Sequence, residues 1–97
     1  MSDLIRYSIK IHPNAEQDIE EIETYISSHI ENPIAANKIV LSIRQKINSL
    51  CFAPERNRIK GRLFSLKVKN YRIYYIVENQ TVYILRVLYA FRNFPML

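Results

Sequence analysis

The chain has 97 residues, so we expect a single domain over residues 1–97 built around one core. Hydrophobic residues make up 48% of the sequence, which excludes a disordered chain. Cys51 is the only cysteine, which excludes an intrachain disulfide and a cysteine-based zinc cluster. No apolar run has the length of a signal peptide or a membrane span, so we expect a cytoplasmic protein without a membrane partner.

Charge is divided unevenly along the sequence. Residues 1–31 hold seven acids and two bases, a net charge of −5, whereas residues 32–97 hold twelve bases and two acids, a net charge of +10. A surface that basic attracts polyanions such as RNA and DNA, or an acidic protein partner. A soluble basic domain with no such partner is the plain alternative, because net charge bears on association and not on chemistry.

The first half of the sequence predicts a strand followed by two helices. Alternating apolar residues over residues 4–11 indicate a strand, which His12 and Pro13 end. Helical spacing then connects four apolar residues, with acids on the remaining faces: Ala15, Ile19, Ile22 and Ile26. Asn32 and Pro33 are typical of a second helix start, and the stripe that follows is Ala36, Ile39, Val40, Ile43, Ile47 and Leu50. The short connection predicts an antiparallel helical hairpin.

The second half of the sequence predicts a sheet. Residues 55–61 form a basic loop, and three strands follow at about residues 63–68, 71–78 and 81–89, with a tight turn at Asn79 and Gln80. The order β-α-α-β-β-β predicts an α+β fold. In this fold the N-terminal strand and helical hairpin pack on one face of a small antiparallel sheet, leaving the other face open to a ligand.

Strand alternation predicts which side chains share a face. Tyr71 and Tyr75 fall on the side of the core, whereas Arg72 and Tyr74 fall on the opposite side. Tyr74 is therefore the tyrosine that we keep as a candidate for ligand binding, by stacking on a base. In the last strand, one face is expected to hold Val82, Ile84, Arg86 and Leu88.

Five cations of the sheet region are the candidates for a functional site. Arg72 lies within a strand and Arg92 follows the last strand, and guanidinium groups bind phosphate oxygens bidentately. Arg62, Lys67 and Lys69 add positive charge nearby, as expected for nucleic-acid or anion binding. A solvated sheet face or an ion pair is the structural alternative for Arg72.

Groups for proton transfer are sparse in the basic half. His12 and His29 lie far in sequence from the cations, and Glu55 and Glu78 are isolated from each other. Acid–base catalysis would fall to lysine or tyrosine, whose ordinary pKa values lie well above neutrality. The acids lack histidine at ligand spacing, so we expect no metal and no cofactor. The pattern favours anion binding over catalysis.

Three segments of the sequence follow a recognisable pattern: residues 32–36 (Asn-Pro-Ile-Ala-Ala), 69–75 (Lys-Asn-Tyr-Arg-Ile-Tyr-Tyr) and 84–92 (Ile-Leu-Arg-Val-Leu-Tyr-Ala-Phe-Arg). Over about residues 7–93 the sequence resembles the RelE/ParE toxins of bacterial type II toxin–antitoxin modules. The resemblance implies a RelE-like fold and a growth inhibitor that a cognate antitoxin neutralises by wrapping the toxin and covering its active face.

The resemblance implies two possible targets. RelE-like members cleave mRNA on the ribosome, and ParE-like members poison DNA gyrase. In RelE-like nucleases, positions that look like Arg72 and Arg92 contact the scissile phosphate, and Lys67 and Lys69 approximately match their strand lysines. The C-terminal tyrosine or histidine of such nucleases has no counterpart here, and the helical hairpin and C-terminus look closer to ParE. A non-catalytic basic nucleic-acid-binding module is the alternative from outside the toxins.

Overall fold

Two helices and five strands make up the part of the chain that the computed structural model describes, residues 5–56 and 58–90. Their bounds are β1 Ser8–Ile11, α1 Pro13–Thr24, α2 Pro33–Ser49, β2 Arg58–Lys60, β3 Leu63–Val68, β4 Tyr71–Glu78 and β5 Thr81–Tyr89. A π-helical turn, Tyr25–His29, extends α1 toward α2. None of the described helices is both long and apolar enough to cross a membrane. The predicted α+β architecture with a helical hairpin is confirmed.

Both helices begin where the sequence predicts. Pro13 occupies the first turn of α1, and the ring nitrogen Nδ1 of His12 accepts the Asn14 backbone N–H at 3.0 Å. The Asn32 side-chain oxygen accepts the Ala35 backbone N–H at 3.0 Å and caps α2 in the same way. Each cap satisfies a backbone donor that has no partner inside the helix.

The sheet has the strand order β1-β5-β4-β3-β2. Strands β3 to β5 pair antiparallel, as predicted, and β2 pairs antiparallel with β3, whereas β1 pairs parallel to β5. Strand alternation identifies the buried face of a strand but not the direction of its neighbour, so the sequence could not predict this pairing. Strand β1 is also shorter than the predicted 4–11, since Arg6 makes only an isolated bridge to Phe52.

Strand β2 lies inside the segment that the sequence predicts as a loop. It pairs with β3 through a turn at Gly61, whose φ of 55° suits a residue without a side chain. The loop prediction is therefore wrong for residues 58–60. The physical reason is that all three side chains of β2 are exposed at the sheet edge, so no apolar alternation marks the strand.

The core lies between the helical hairpin and one face of the sheet. The predicted helix stripes meet strand side chains there, and the core includes Ala15, Ile19, Ile43, Ile47, Leu50, Ile73, Tyr75, Val82, Ile84 and Val87. Tyr75 carries a polar hydroxyl into this core and donates it to the Pro54 carbonyl at 2.7 Å. That hydrogen bond satisfies the hydroxyl and anchors the segment that follows α2.

A β-bulge in β5 changes which side chains face the core. Tyr75 lies opposite Ile84 but Tyr74 lies opposite Arg86, so Leu85 is an extra residue on β5. The predicted face of Val82, Ile84, Arg86 and Leu88 is wrong beyond Ile84. Because one inserted residue reverses the alternation, Val87 enters the core and Leu88 packs with Tyr74 on the opposite side.

Asp18 connects α1 to the bulged strand. Its carboxylate accepts two hydrogen bonds from the Arg86 guanidinium, at 2.7 and 2.9 Å, and one from the Val87 backbone N–H at 2.9 Å. Asp18 is only 7% exposed, so the carboxylate exchanges water for three protein donors. A second bidentate pair, between Arg44 of α2 and Glu16 of α1, is more exposed, and its hydrogen bonds lower the pKa of Glu16.

We predict that Asp18→Asn lowers the free energy of unfolding by about 3 kcal/mol, because the Arg86 cation is left without its carboxylate in a mostly buried setting. Urea unfolding at neutral pH measures the change. Glu16→Gln is the matched control, and the loss of this exposed pair should cost less than about 1 kcal/mol. If both variants lost the same free energy of unfolding, Asp18 would contribute no more to stability than the exposed Glu16.

We predict that Tyr75→Phe flattens the alkaline loss of stability. Burial raises the pKa of Tyr75. The folded state therefore holds the hydroxyl proton more tightly than the unfolded chain does, and this stability is present below about pH 10 and lost as the pH rises further. The variant should lose about 1 kcal/mol at neutral pH, with the hydrogen bond to Pro54, but less than the parent chain on raising the pH. Urea unfolding across a pH series measures both, and parallel curves would argue against this account.

Candidate functional site

The sheet face turned away from the helices carries the central candidate, Arg72. We call it the outer face and define it by Ser65, Lys67, Arg72, Tyr74 and Leu88. Arg72 lies on β4, directly opposite Lys67 of β3 on one side and Leu88 of β5 on the other. Its guanidinium donates to the Ser65 hydroxyl oxygen at 2.9 Å. Since Ser65 is buried, this hydrogen bond fixes the orientation of the half-buried Arg72 guanidinium, whose five N–H groups exceed what one hydroxyl can accept.

Lys67 and Arg72 form a cross-strand pair of like charge. Such pairs destabilise a sheet, because the two cations repel each other at short range. Within residues 5–56 and 58–90, no carboxylate lies within 4.0 Å of either side chain. An anion between them would remove the repulsion, so the pair indicates an anion-binding position on the outer face.

Arg62 does not join this pair. It forms an exposed ion pair with Glu78, because the β3–β4 hairpin brings the start of one strand beside the end of the other. The prediction that Arg62 contributes free positive charge to the site is therefore not supported by its position. The opposite charges of Arg62 and Glu78 largely cancel, so the pair exerts little attraction on a ligand that does not contact it.

Tyr74 lies on the predicted face, but it is buried. Its side chain is only 4% exposed and packs with Leu63, Leu85 and Leu88. The expectation that a ligand reaches Tyr74 is wrong, because these apolar residues build a second, smaller cluster on the outer face. Leu63 and Leu85 carry the sequence signal for it, but the bulge hides the contribution of Leu88.

Lys69 lies beside the outer face rather than on it. It begins the turn between β3 and β4 with a φ of 55° and is exposed to solvent. Together with Lys67 it lines an open groove that Lys46 of α2 also enters. Lys46 lies off the apolar stripe of the second helix, and nothing in the local sequence pattern connects it to the strand lysines. Arg92, the remaining candidate, lies outside the described residues.

The two histidines lie in the helical half of the molecule. His12 caps α1, and His29 stacks on Tyr25 with ring centroids 5.0 Å apart. Neither element borders Arg72, so in the described part of the chain no imidazole accompanies the cations. Among those same residues, no three His, Cys, Asp or Glu side chains converge as metal ligands. The described site can hold and orient an anion, and it contains no evident acid–base pair.

A protein-family model matches most of this chain. The model described as "ParE toxin of type II toxin-antitoxin system, parDE" matches residues 9–94. This chain belongs to the ParE toxin family. It is a toxin of a type II toxin–antitoxin system, and the resemblance to RelE/ParE toxins drawn from the sequence is confirmed. Among curated proteins, none matches the sequence of this ParE-family toxin well enough to count as a relative.

Solved structures share the fold of this ParE-family toxin at low sequence identity. The chromosomal ParDE system from P. aeruginosa matches with a TM-score of 0.76 and 19% identity, over 87% of this chain and 96% of the other. The RelBE2 toxin–antitoxin complex from Mycobacterium tuberculosis matches with a TM-score of 0.66 and 20% identity, over 88% of this chain and 99% of the other. TrmO from P. aeruginosa matches at 0.53 and 13% identity, over 86% of this chain and 33% of TrmO. The fold therefore also occurs within a much longer protein, and it is the family model that identifies the toxin.

We predict that Arg72→Gln relieves growth arrest when the toxin is expressed in bacteria. A hydrogen bond to a charged group contributes about 1.5–3 kcal/mol, so losing the cation should weaken target binding by about 10- to 100-fold. Survival of induced cells measures the effect, with protein level and thermal melting checked in parallel.

Two further variants test the position of Arg72. Arg62→Gln is the matched control, because its charge is already paired with Glu78, and this variant should remain toxic. Ser65→Ala keeps the Arg72 cation but removes its hydrogen bond, so it should weaken toxicity less than Arg72→Gln. Equal toxicity of Arg72→Gln and the parent chain would remove Arg72 from the site.

Proposed function

We propose that this toxin inhibits DNA gyrase in the cytoplasm and is neutralised there by a cognate antitoxin. The observation that carries the proposal is the oriented Arg72 cation opposite Lys67, without an acid–base partner among the described residues. Such a face can bind an anionic surface of a target, and binding alone suffices for a poison that traps another enzyme. Membership of the ParE family supports the same choice.

The antitoxin follows from the kind of system to which the family belongs. The P. aeruginosa and M. tuberculosis structures that share the fold are named as toxin–antitoxin systems or complexes. By analogy, a partner of this chain should present acidic and apolar residues along an extended or helical segment, because the outer face combines cations with a small apolar cluster. Antitoxin bound there would cover Arg72 and block the target.

Ribosome-dependent mRNA cleavage is the second candidate. The observation in its favour is that Lys67 and Arg72 lie on one face, where two cations could stabilise the charge of a phosphodiester transition state. Without a described group to move protons, this candidate ranks below gyrase inhibition. The family membership also favours either toxin activity over a plain nucleic-acid-binding module.

A pair of assays separates the two targets. The purified toxin should inhibit supercoiling of relaxed plasmid by gyrase, or trap DNA breaks, and Arg72→Gln should do neither at the same dose. In a translation extract, the message should stay intact. Normal supercoiling at doses that stop growth would reject the gyrase proposal, and cuts in the message would support cleavage instead.

A further inference from the structure

We propose that the groove between α2 and the β3–β4 hairpin binds the phosphodiester backbone of a nucleic acid. The groove is open to solvent and has a volume of about 640 Å³. It is lined from the helix by Ser42, Gln45, Lys46 and Ser49, and from the hairpin by Lys67, Val68 and Lys69. It lies beside the outer face and is a separate surface.

Positive charge is concentrated in this groove. Lys46, Lys67 and Lys69 line it together, and none of the lining residues is acidic. Lys46 and Lys69 come from two elements that lie apart in sequence, and Lys67 adds a third charge where the groove borders the outer face, so the fold has brought like charges to one region of the surface. In the described chain, no carboxylate lies within 4.0 Å of any of the three. A bound polyanion would replace the repulsion between these like charges with attraction.

The helix side of the groove adds neutral donors. The Ser49 hydroxyl already donates to the Lys46 backbone carbonyl at 2.6 Å. Ser42 and Gln45 are three residues apart and lie on the same face of α2, where they offer a hydroxyl and an amide. Hydroxyl and amide groups of this kind donate to phosphate oxygens in nucleic-acid complexes. Lysine acts as a flexible point charge, which suits phosphates that repeat along a backbone better than one small anion held in a fixed geometry.

Lys67 links the groove to the outer face. It lines the groove and also lies directly opposite Arg72 on the neighbouring strand. The cations therefore continue from α2, around the hairpin, to Arg72. A backbone with regularly spaced phosphates can contact such a track along its whole length. This inference deepens the proposed function, because DNA held by gyrase would supply such a backbone, but binding to the groove can be tested without gyrase.

Salt-dependent binding tests the groove directly. The full chain is titrated into a labelled DNA duplex and into a single-stranded RNA of equal length, and fluorescence anisotropy is recorded at several salt concentrations. Lys46→Gln and Lys69→Asn each remove one charge, and asparagine tolerates the positive φ at position 69. Each variant should reduce the slope of log affinity against log salt for the duplex by about 0.9 and weaken binding about tenfold near 50 mM salt.

The control variant is Lys38→Gln, which removes an exposed α2 lysine outside the groove. It should leave the slope unchanged, and thermal melting should confirm that all three variants fold. Equal slopes for the control and the groove variants would overturn the proposal. So would a parent chain that binds a polyglutamate peptide but neither nucleic acid.

The two nucleic acids identify the source of the backbone. Preference for the duplex or for RNA supports the groove in either case and indicates which polymer it contacts. Groove-dependent binding with normal gyrase activity would reject gyrase as the target and leave the groove standing. Gyrase inhibition by a toxin that binds no nucleic acid would reject the groove alone.

Discussion

The bidentate ion pair between Asp18 and Arg86 joins the helical hairpin to the sheet, and the arrangement of both sheet faces depends on it. The same carboxylate accepts the Val87 N–H next to the β5 bulge, so one buried acid satisfies a cation and a backbone donor together. The bulge in turn decides that Val87 enters the core and that Leu88 covers Tyr74. A contact on the core side thereby shapes the face that carries Arg72.

The cations of the basic half fall into two groups: some pair with acids inside the fold, and others are available to a partner. Acids of α1 compensate two of the arginines in the basic half, as Glu16 pairs with Arg44 and Asp18 with Arg86. These arginines serve the fold and cannot serve a polyanion at the same time. Among the other described cations, Lys46, Lys67, Lys69 and Arg72 lie around the β3–β4 hairpin, whereas Arg58 and Lys60 lie on β2 beside the start of β3. The toxin thus separates the charges that hold it together from those it can offer to a partner.

Much of the fold could be predicted because helices and strands repeat locally. The apolar stripe of α1, the Asn32 cap and the three long strands follow from periods of 3.6 and 2 residues and from known cap preferences. Prediction failed where a residue departs from those periods. Strand β2 has three exposed side chains and no alternation, and the extra residue Leu85 reverses the alternation of β5 without any mark in the composition.

The candidate site could likewise be predicted from the sequence only in part. Residue types and spacing alone establish that Lys67 and Arg72 are cations of neighbouring strands, and they carry the resemblance to the ParE family. Only the tertiary structure decides that Glu78 neutralises Arg62, that Tyr74 is buried, and that Lys46 joins the strand lysines. The reason is distance along the chain: Arg86 finds Asp18 across 68 positions, and no local period reports a partner so far away. Which charges are present is a property of the sequence, whereas which of them remain unpaired is a property of the fold.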